Sequence, residues 1–294
     1  MSHPITSFGI LVGIDGSPES DAAIRWATAE AVMRNVPLTL MHVVAPIIVT
    51  WPVIPISVGM TEWQEEHARL VVDRGREAVT EAAGESRPPA IRTEVRYAEV
   101  VSELIDASRD AFMTVLGSRG MGVLGRFVLG SVSSSLLHHA HGPVAIIHAE
   151  RTPARGHASP VVLGIDGTPA SEQATAFAFD EASRRAVNLV ALHAWVDTAS
   201  ATLLGIDWTR YEQEGHELLA ERLAGWQEKY PDVEVRHRLV VDEPARRLID
   251  ESHEAQLVVV GSHGRGGFAG MLLGSVSSKV VQEAKAPTIV VRGR

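Results

Sequence analysis

Short, nearly unbroken apolar runs alternate along this chain with longer stretches whose apolar residues recur at helical spacing. In the first half the runs are Ile10 to Ile14, Leu38 to Val43, Met113 to Leu116 and Val144 to Ile147. Continuous runs of this kind suit parallel strands buried on both faces. Ile91 to Arg96 is more polar and is expected at a sheet edge. Helix start signals fall between the strands. Ser17-Pro18 offers an N-cap followed by proline at the first helical position, and Thr168-Pro169 offers it again. Thr61-Glu62-Trp63-Gln64 has capping-box spacing ahead of a long helix that must end before Pro88 and Pro89. Five strands with helices between them predict an α/β, doubly wound (Rossmann-like or flavodoxin-like) five-stranded parallel sheet with strand order 3-2-1-4-5.

The pattern occurs twice. Gly13-Ile14-Asp15-Gly16-Ser17-Pro18 returns 151 residues later as Gly164-Ile165-Asp166-Gly167-Thr168-Pro169, and Leu38 to Val43 returns at the same distance as Leu189 to Ala194. Gly117-Ser118-Arg119-Gly120 returns 144 residues later as Gly261-Ser262-His263-Gly264. The first copy therefore carries seven extra residues between these blocks, expected in the proline-rich loop Trp51 to Met60. Each copy is long enough for its own core, so the reading is two tandem domains, 1–150 and 161–294, joined by a polar linker over 151–160.

The formal charge of −9 from 27 basic and 36 acidic residues leaves no broad basic face for nucleic acid, which is not expected as a partner. With no cysteine in the 294 residues, a disulfide scaffold, a thiolate metal site and a thiol nucleophile are excluded. Asn35 to Thr61 carries no formal charge, but Pro37, Pro46, Pro52 and Pro55 break any spanning helix there. No membrane partner is expected, and with no secretory segment visible the expected location is cytoplasmic.

An open parallel sheet binds ligands beyond the carboxyl ends of its strands, where the strand order reverses. Asp15 ends the first strand and the loop from Gly117 to Gly130 follows the fourth, so order 3-2-1-4-5 sets both at one crevice. Gly117 and Gly120 are expected to take positive φ in a tight turn with exposed N–H groups. Gly130 would let an anion approach a helix N-terminus, with Ser131 as N-cap and hydroxyl ligand. Arg119, Arg126 and, in the second copy, Arg265 would offset phosphate charge. Glycines after a strand often serve turn geometry alone. The recurrence of aspartate, glycines and serine together in both copies argues for a ligand.

These residues resemble the universal stress protein family in its tandem-domain, ATP-binding actinobacterial form. The resemblance covers both halves. It rests on the spacing Gly, two residues, Gly, nine residues, Gly-Ser, met by Gly117, Gly120, Gly130 and Ser131 and again by Gly261, Gly264, Gly274 and Ser275, with Asp15 and Asp166 on the first strands. It implies ATP, with magnesium, as the ligand of each half. Gly13, Asp15, Gly164 and Asp166 would lie near the nucleotide, Val132 and Val276 would offer backbone N–H groups to phosphate, and the backbones of Val43 and Ala194 would recognise adenine. It implies a regulatory, stress-adaptive role rather than a metabolic reaction. A slow ATPase or nucleotidyl- or phosphoryl-transfer enzyme, and a nucleotide-stabilised scaffold, stay open as alternatives. It also implies pairing through the last strands, Val144 to His148 and Thr288 to Arg292, as a homodimer or as a pseudo-dimer within one chain. The apolar loop from Ile47 to Met60, with Trp51, Val53 and Ile54, is read either as a second contact surface or as a flap over its own core. His263 for Arg119 and Gly267 for Val123 imply unequal affinities in the two copies.

Two other signals are read as structural. His138, His139 and His141 close a helix before Gly142-Pro143, where histidines suit a helix C-terminus better than a zinc site. His42 and His193 end a buried strand and are expected to be hydrogen-bonded core or pocket-wall residues rather than catalysts.

Overall fold

The computed structural model describes residues 7–46, 57–120, 129–150, 158–167, 171–195, 208–241, 243–264 and 273–292. The chain divides into two compact units, Met1–Ala149 and Glu150–Arg294. The first holds β1 (Gly9–Gly13), α1 (Pro18–Arg34), β2 (Leu38–Val44), α2 (Ser57–Ala83), β3 (Ile91–Tyr97), α3 (Val100–Ala107), β4 (Ala111–Gly117), α4 (Ser131–His139) and β5 (Val144–Ile147). The second holds β6 (Val161–Gly164), α5 (Glu172–Arg185), β7 (Leu189–Trp195), α6 (Trp208–Lys229), β8 (Val235–Val241), α7 (Pro244–Glu251), β9 (Leu257–Gly261), α8 (Ser275–Glu283) and β10 (Thr288–Val291).

Within the first unit the strands run β3-β2-β1-β4-β5, every neighbouring pair parallel. The second repeats this as β8-β7-β6-β9-β10. The central strands are sealed on both faces: Ile10, Leu11 and Val12, and in turn Val161, Val162 and Leu163, are fully buried. This is why they read as unbroken apolar runs. The polar strand β3 does lie at the edge, pairing with β2 and leaving Val95 and Tyr97 exposed.

Helix α1 begins as its sequence dictates. Ser17 is the N-cap, its Oγ accepting from the Ser20 N–H at 3.1 Å, and Pro18 follows inside the first turn. The corresponding Thr168-Pro169 lies outside the described residues, as do Trp51, Val53 and Ile54. The helix α2 begins at Ser57, four residues ahead of the expected cap at Thr61. The seven extra residues of the first copy are placed differently from the sequence reading as well. Helices α2 and α6 begin at equivalent positions, but α2 runs for 27 residues and α6 for 22. Five of the seven therefore extend α2, and the other two lie in its connection to β3.

Both first helices carry a charged pair that the apolar pattern does not reveal. On α1, Glu30 and Arg34 approach to 3.5 Å, with the Arg34 guanidinium 4.7 Å from the centre of the Phe112 ring. On α5, Glu181 and Arg185 pair at 2.7 Å. All four side chains are buried or nearly so, and the i,i+4 spacing sets each pair on one helix face.

Candidate functional site

Strands β1 and β4 lie side by side, Val12 opposite Val115, so their carboxyl ends open on the same edge of the sheet. Beyond β1 the backbone of Ile14 is pinned from both sides. Its N–H donates to the Met41 carbonyl at 2.9 Å, and its carbonyl accepts from His42 Nδ1 at 2.8 Å. His193 does the same for Ile165 at 2.7 Å. These buried histidines are hydrogen-bonded core residues that fix the residue before each aspartate, and His42 is not among the residues lining the cavity of the first unit. Asp15 Oδ1 then accepts from the Ser17 N–H at 3.0 Å, while Gly16 between them takes φ +82°. Gly167, behind Asp166, takes φ +75°. The left-handed position of the site is therefore here. Gly117 and Gly120, expected to supply it, do not adopt a positive φ.

Those two glycines are needed for close approach. A Cβ on Gly117 would stand 2.6 Å from the Glu19 Cβ and 2.7 Å from its carbonyl carbon, so the missing side chain lets α1 pack on the end of β4. A Cβ on Gly120 would stand 2.6 Å from Asp15 Oδ2. Gly13 also has a packing role, since a Cβ there would lie 2.6 Å from Leu116 Cδ2.

The loop closes on itself. The Gly130 N–H donates to the Ser118 carbonyl at 2.9 Å, and the Ser133 Oγ donates to the Gly117 carbonyl at 2.7 Å, tying the first turn of α4 to the end of β4. Gly130, not Ser131, is the N-cap of α4, and Ser131 is the first helical residue, so the helix starts one residue earlier than the sequence predicts. No side chain caps this end, so the N–H groups of the first turn are open to a ligand.

Gly13, Asp15, Val43, Gly117, Arg119, Gly120, Gly130, Ser131 and Val132 all line one cavity of about 410 Å³. The cavity also takes in Ser20, Val100 and Leu104, which sequence reasoning passed over. Ser20 is 4% exposed, and its Oγ has no hydrogen-bond partner. A buried hydroxyl left unsatisfied in a cavity wall is costly without a ligand or water to meet it. Its signal in the sequence was available: Ser20 returns as Ser171 at the offset that relates Asp15 to Asp166. Arg119 does not stand ready as a bare cation, because its Nη2 pairs with Glu19 Oε1 at 2.8 Å. Arg126 lies outside the described residues.

In the second unit the same frame recurs. The Gly274 N–H donates to the Ser262 carbonyl at 2.7 Å, and Ser277 Oγ donates to the Gly261 carbonyl at 2.5 Å. A Cβ on Gly264 would meet Asp166 Oδ2 at 2.8 Å. Gly274 caps α8 and Ser275 opens it, with Val276 next. Gly164 packs under Leu248, and Ala194 occupies the place of Val43 at the end of its strand. Arg265 lies outside the described residues.

The sequence model of the universal stress protein family matches residues 9–148 and, a second time, 158–292. The chain belongs to the universal stress protein family. A universal stress protein of Mycolicibacterium smegmatis is 54% identical over 294 residues, covering 100% of both chains. One from Mycobacterium tuberculosis is 50% identical over 293 residues, covering 99% of each. Among solved structures, a universal stress protein of Archaeoglobus fulgidus matches with a TM-score of 0.70 at 20% identity, over 97% of this chain and 98% of that one. At that identity the likeness speaks for the fold.

Of the three histidines, His141, just beyond the end of α4, is hydrogen-bonded, and the ring centres of His138 and His139 lie 6.2 Å apart. Arg109 Nε donates to His141 Nε2 at 3.0 Å, and the His141 N–H donates to Ser108 Oγ at 2.9 Å. Among the described residues no helix is long and apolar enough to cross a membrane.

Proposed function

We propose that each unit binds one ATP beyond the carboxyl ends of its first and fourth strands, and that the protein is a nucleotide-responsive regulator of stress adaptation acting in the cytoplasm. The observation that carries this reading is the convergence, in one cavity, of the Asp15 carboxylate, the side-chain-free Gly120 and Gly130, the uncapped first turn of α4 and the orphaned Ser20 hydroxyl. Uncapped N–H donors beside side-chain-free backbone suit an anion of phosphate size. Val43, Val100 and Leu104 supply an apolar wall of the sort that accepts a base.

Magnesium fits the donor set, which consists of carboxylate and hydroxyl oxygens. Asp15 and Asp166 would hold it, and it would neutralise phosphate charge. Asp15 would then orient the ligand, the first turn of α4 would bind its anionic end, and the apolar wall would exclude water from the base. Titration of MgATP into the full-length protein by calorimetry tests the reading, together with mass spectrometry of small molecules released on denaturation. Binding that approaches two nucleotides per chain is expected, and Asp15→Ala should weaken one site only. A flat titration of folded protein, with no nucleotide released, would overturn it.

A further inference from the structure

Among the described residues Arg119 is the cationic side chain that lines the first unit's cavity, yet it is already paired. Its Nη2 lies 2.8 Å from Glu19 Oε1, and the two side chains are only 14% and 13% exposed. Glu19 is held there by the backbone. It sits in the first turn of α1, packed against Gly117 where no Cβ intervenes. Among the described residues, Asp15 and Arg119 line the cavity and Glu19 stands behind Arg119 as its ion-pair partner, so an incoming polyphosphate meets a guanidinium already held by a carboxylate. The second unit is built otherwise. At the positions of Glu19 and Arg119 its sequence has Ala170 and His263, and His263 Nδ1 lies 2.9 Å from Ser262 Oγ.

We infer that Glu19 and Arg119 form a charge latch peculiar to the first site, in which Glu19 competes with the ligand's phosphates for the guanidinium and so sets that site's preference for ligand charge. This rests on the nucleotide reading above. A partly buried carboxylate repels an anion more strongly than a solvated one, because screening is weaker there. For a phosphate to gain Arg119, the pair must open, and the freed Glu19 charge then faces the ligand or its magnesium. Removing the Glu19 charge weakens its hold on Arg119 and takes a carboxylate away from the ligand's phosphates. The gain grows with the number of phosphates and vanishes for an uncharged ligand.

The test is calorimetric titration of the full-length wild type and of Glu19→Gln with MgATP, MgADP and adenosine, with thermal unfolding of both proteins alongside. Glu19→Gln keeps the side-chain shape and a hydrogen bond to Arg119. It should tighten MgATP by about tenfold in one of the two binding events, tighten MgADP less, and leave adenosine unchanged. A wild type that binds MgATP, paired with a variant whose constants do not move, would overturn the latch and leave the nucleotide reading intact. Equal tightening of adenosine would also overturn it, since the effect would then be one of shape. A wild type that binds none of the three would sink the nucleotide reading itself.

Discussion

Asp15 Oδ2 occupies the space beside Gly120 that a side chain there would need, 2.6 Å from the position of its Cβ. Asp166 stands in the same relation to Gly264, at 2.8 Å. The first glycine loop thus holds its aspartate by leaving room for it, and both units use the same device. In sequence the aspartate and the glycine are about a hundred residues apart. The parallel pairing of β1 with β4 makes them neighbours.

Gly120→Ala is therefore expected to act on the ligand more than on the fold. The new methyl meets the far end of a carboxylate, which can rotate away, and among the described residues no backbone atom other than those of its chain neighbours lies within 4 Å of it. Nucleotide affinity at the first site should fall by about tenfold or more, roughly the effect of losing one well-placed charged contact. Thermal stability should stay close to that of the wild type. Calorimetric titration and a melting curve on the same sample read both, and an unchanged affinity would remove Asp15 from the site.

Gly117→Ala should behave in the opposite way. Its methyl would press into the backbone of Glu19, which cannot move unless α1 shifts. Overpacking of this kind costs about 1–3 kcal/mol, which for a unit of this size lowers the melting temperature by a few degrees per kcal/mol. Any loss of ligand would follow from the displaced helix. A variant as stable as the wild type would show that the close approach of α1 to β4 is not required.

The elements and the strand order were legible because burial on both faces leaves unbroken apolar runs such as Ile10 to Ile14, and because the repeat shows each signal twice. Asp15, the loop glycines and Ser131 stood out through the repeat, Gly13, Val43 and Val132 through the family resemblance, and the cavity is lined by all nine described candidates of the first unit. The roles of individual glycines were not. Spacing reports that a side chain is missing, but whether a turn, a helix or a carboxylate needs the space depends on contacts distant in sequence, such as Glu19 against Gly117. The ion pair of Arg119 with Glu19 was hidden too, since one hundred residues separate its members. The start of α2 at Ser57 was missed because Thr61 offers a cap that the helix simply runs through.

Equivalent glutamates should give the two units different acid responses. Glu99 caps α3, its carboxylate accepting from the Ser102 N–H at 2.7 Å and the Val101 N–H at 3.1 Å. The backbone hydrogen bond from Ser102, then that from Val101, holds its carboxyl below the usual carboxylate range. Glu243, its counterpart before α7, makes no cap and pairs instead with Lys279 at 2.8 Å. That lysine stands where the first unit has Ser135. A carboxyl whose folded value is depressed contributes stability above its unfolded value, and that contribution drains away as pH falls through the folded one. Glu99→Gln should thus destabilise the protein at neutral pH, with the gap to wild type closing below the ordinary carboxylate range. Melting curves across that range check it, and a gap of constant size would show that the cap does not titrate.

The helix ends offer a test of the fold free of any ligand. Helix α1 ends on Asn35 at φ +52°, with the Val36 N–H reaching back to the Ala31 carbonyl at 3.1 Å. Helix α5 ends with the same turn, the Val187 N–H on the Ala182 carbonyl at 3.1 Å, but the left-handed residue is Ala186, also at φ +52°. This is the Schellman arrangement, which favours glycine or asparagine at that position. An alanine there carries a steric cost of about 1–2 kcal/mol, part of which glycine gives back as unfolded-state entropy. Ala186→Gly should then stabilise the second unit by about 1 kcal/mol, and Asn35→Ala should destabilise the first by a similar amount. Urea unfolding followed by circular dichroism measures both. A midpoint that falls in Ala186→Gly would mean that this end of α5 does not hold the left-handed turn in solution.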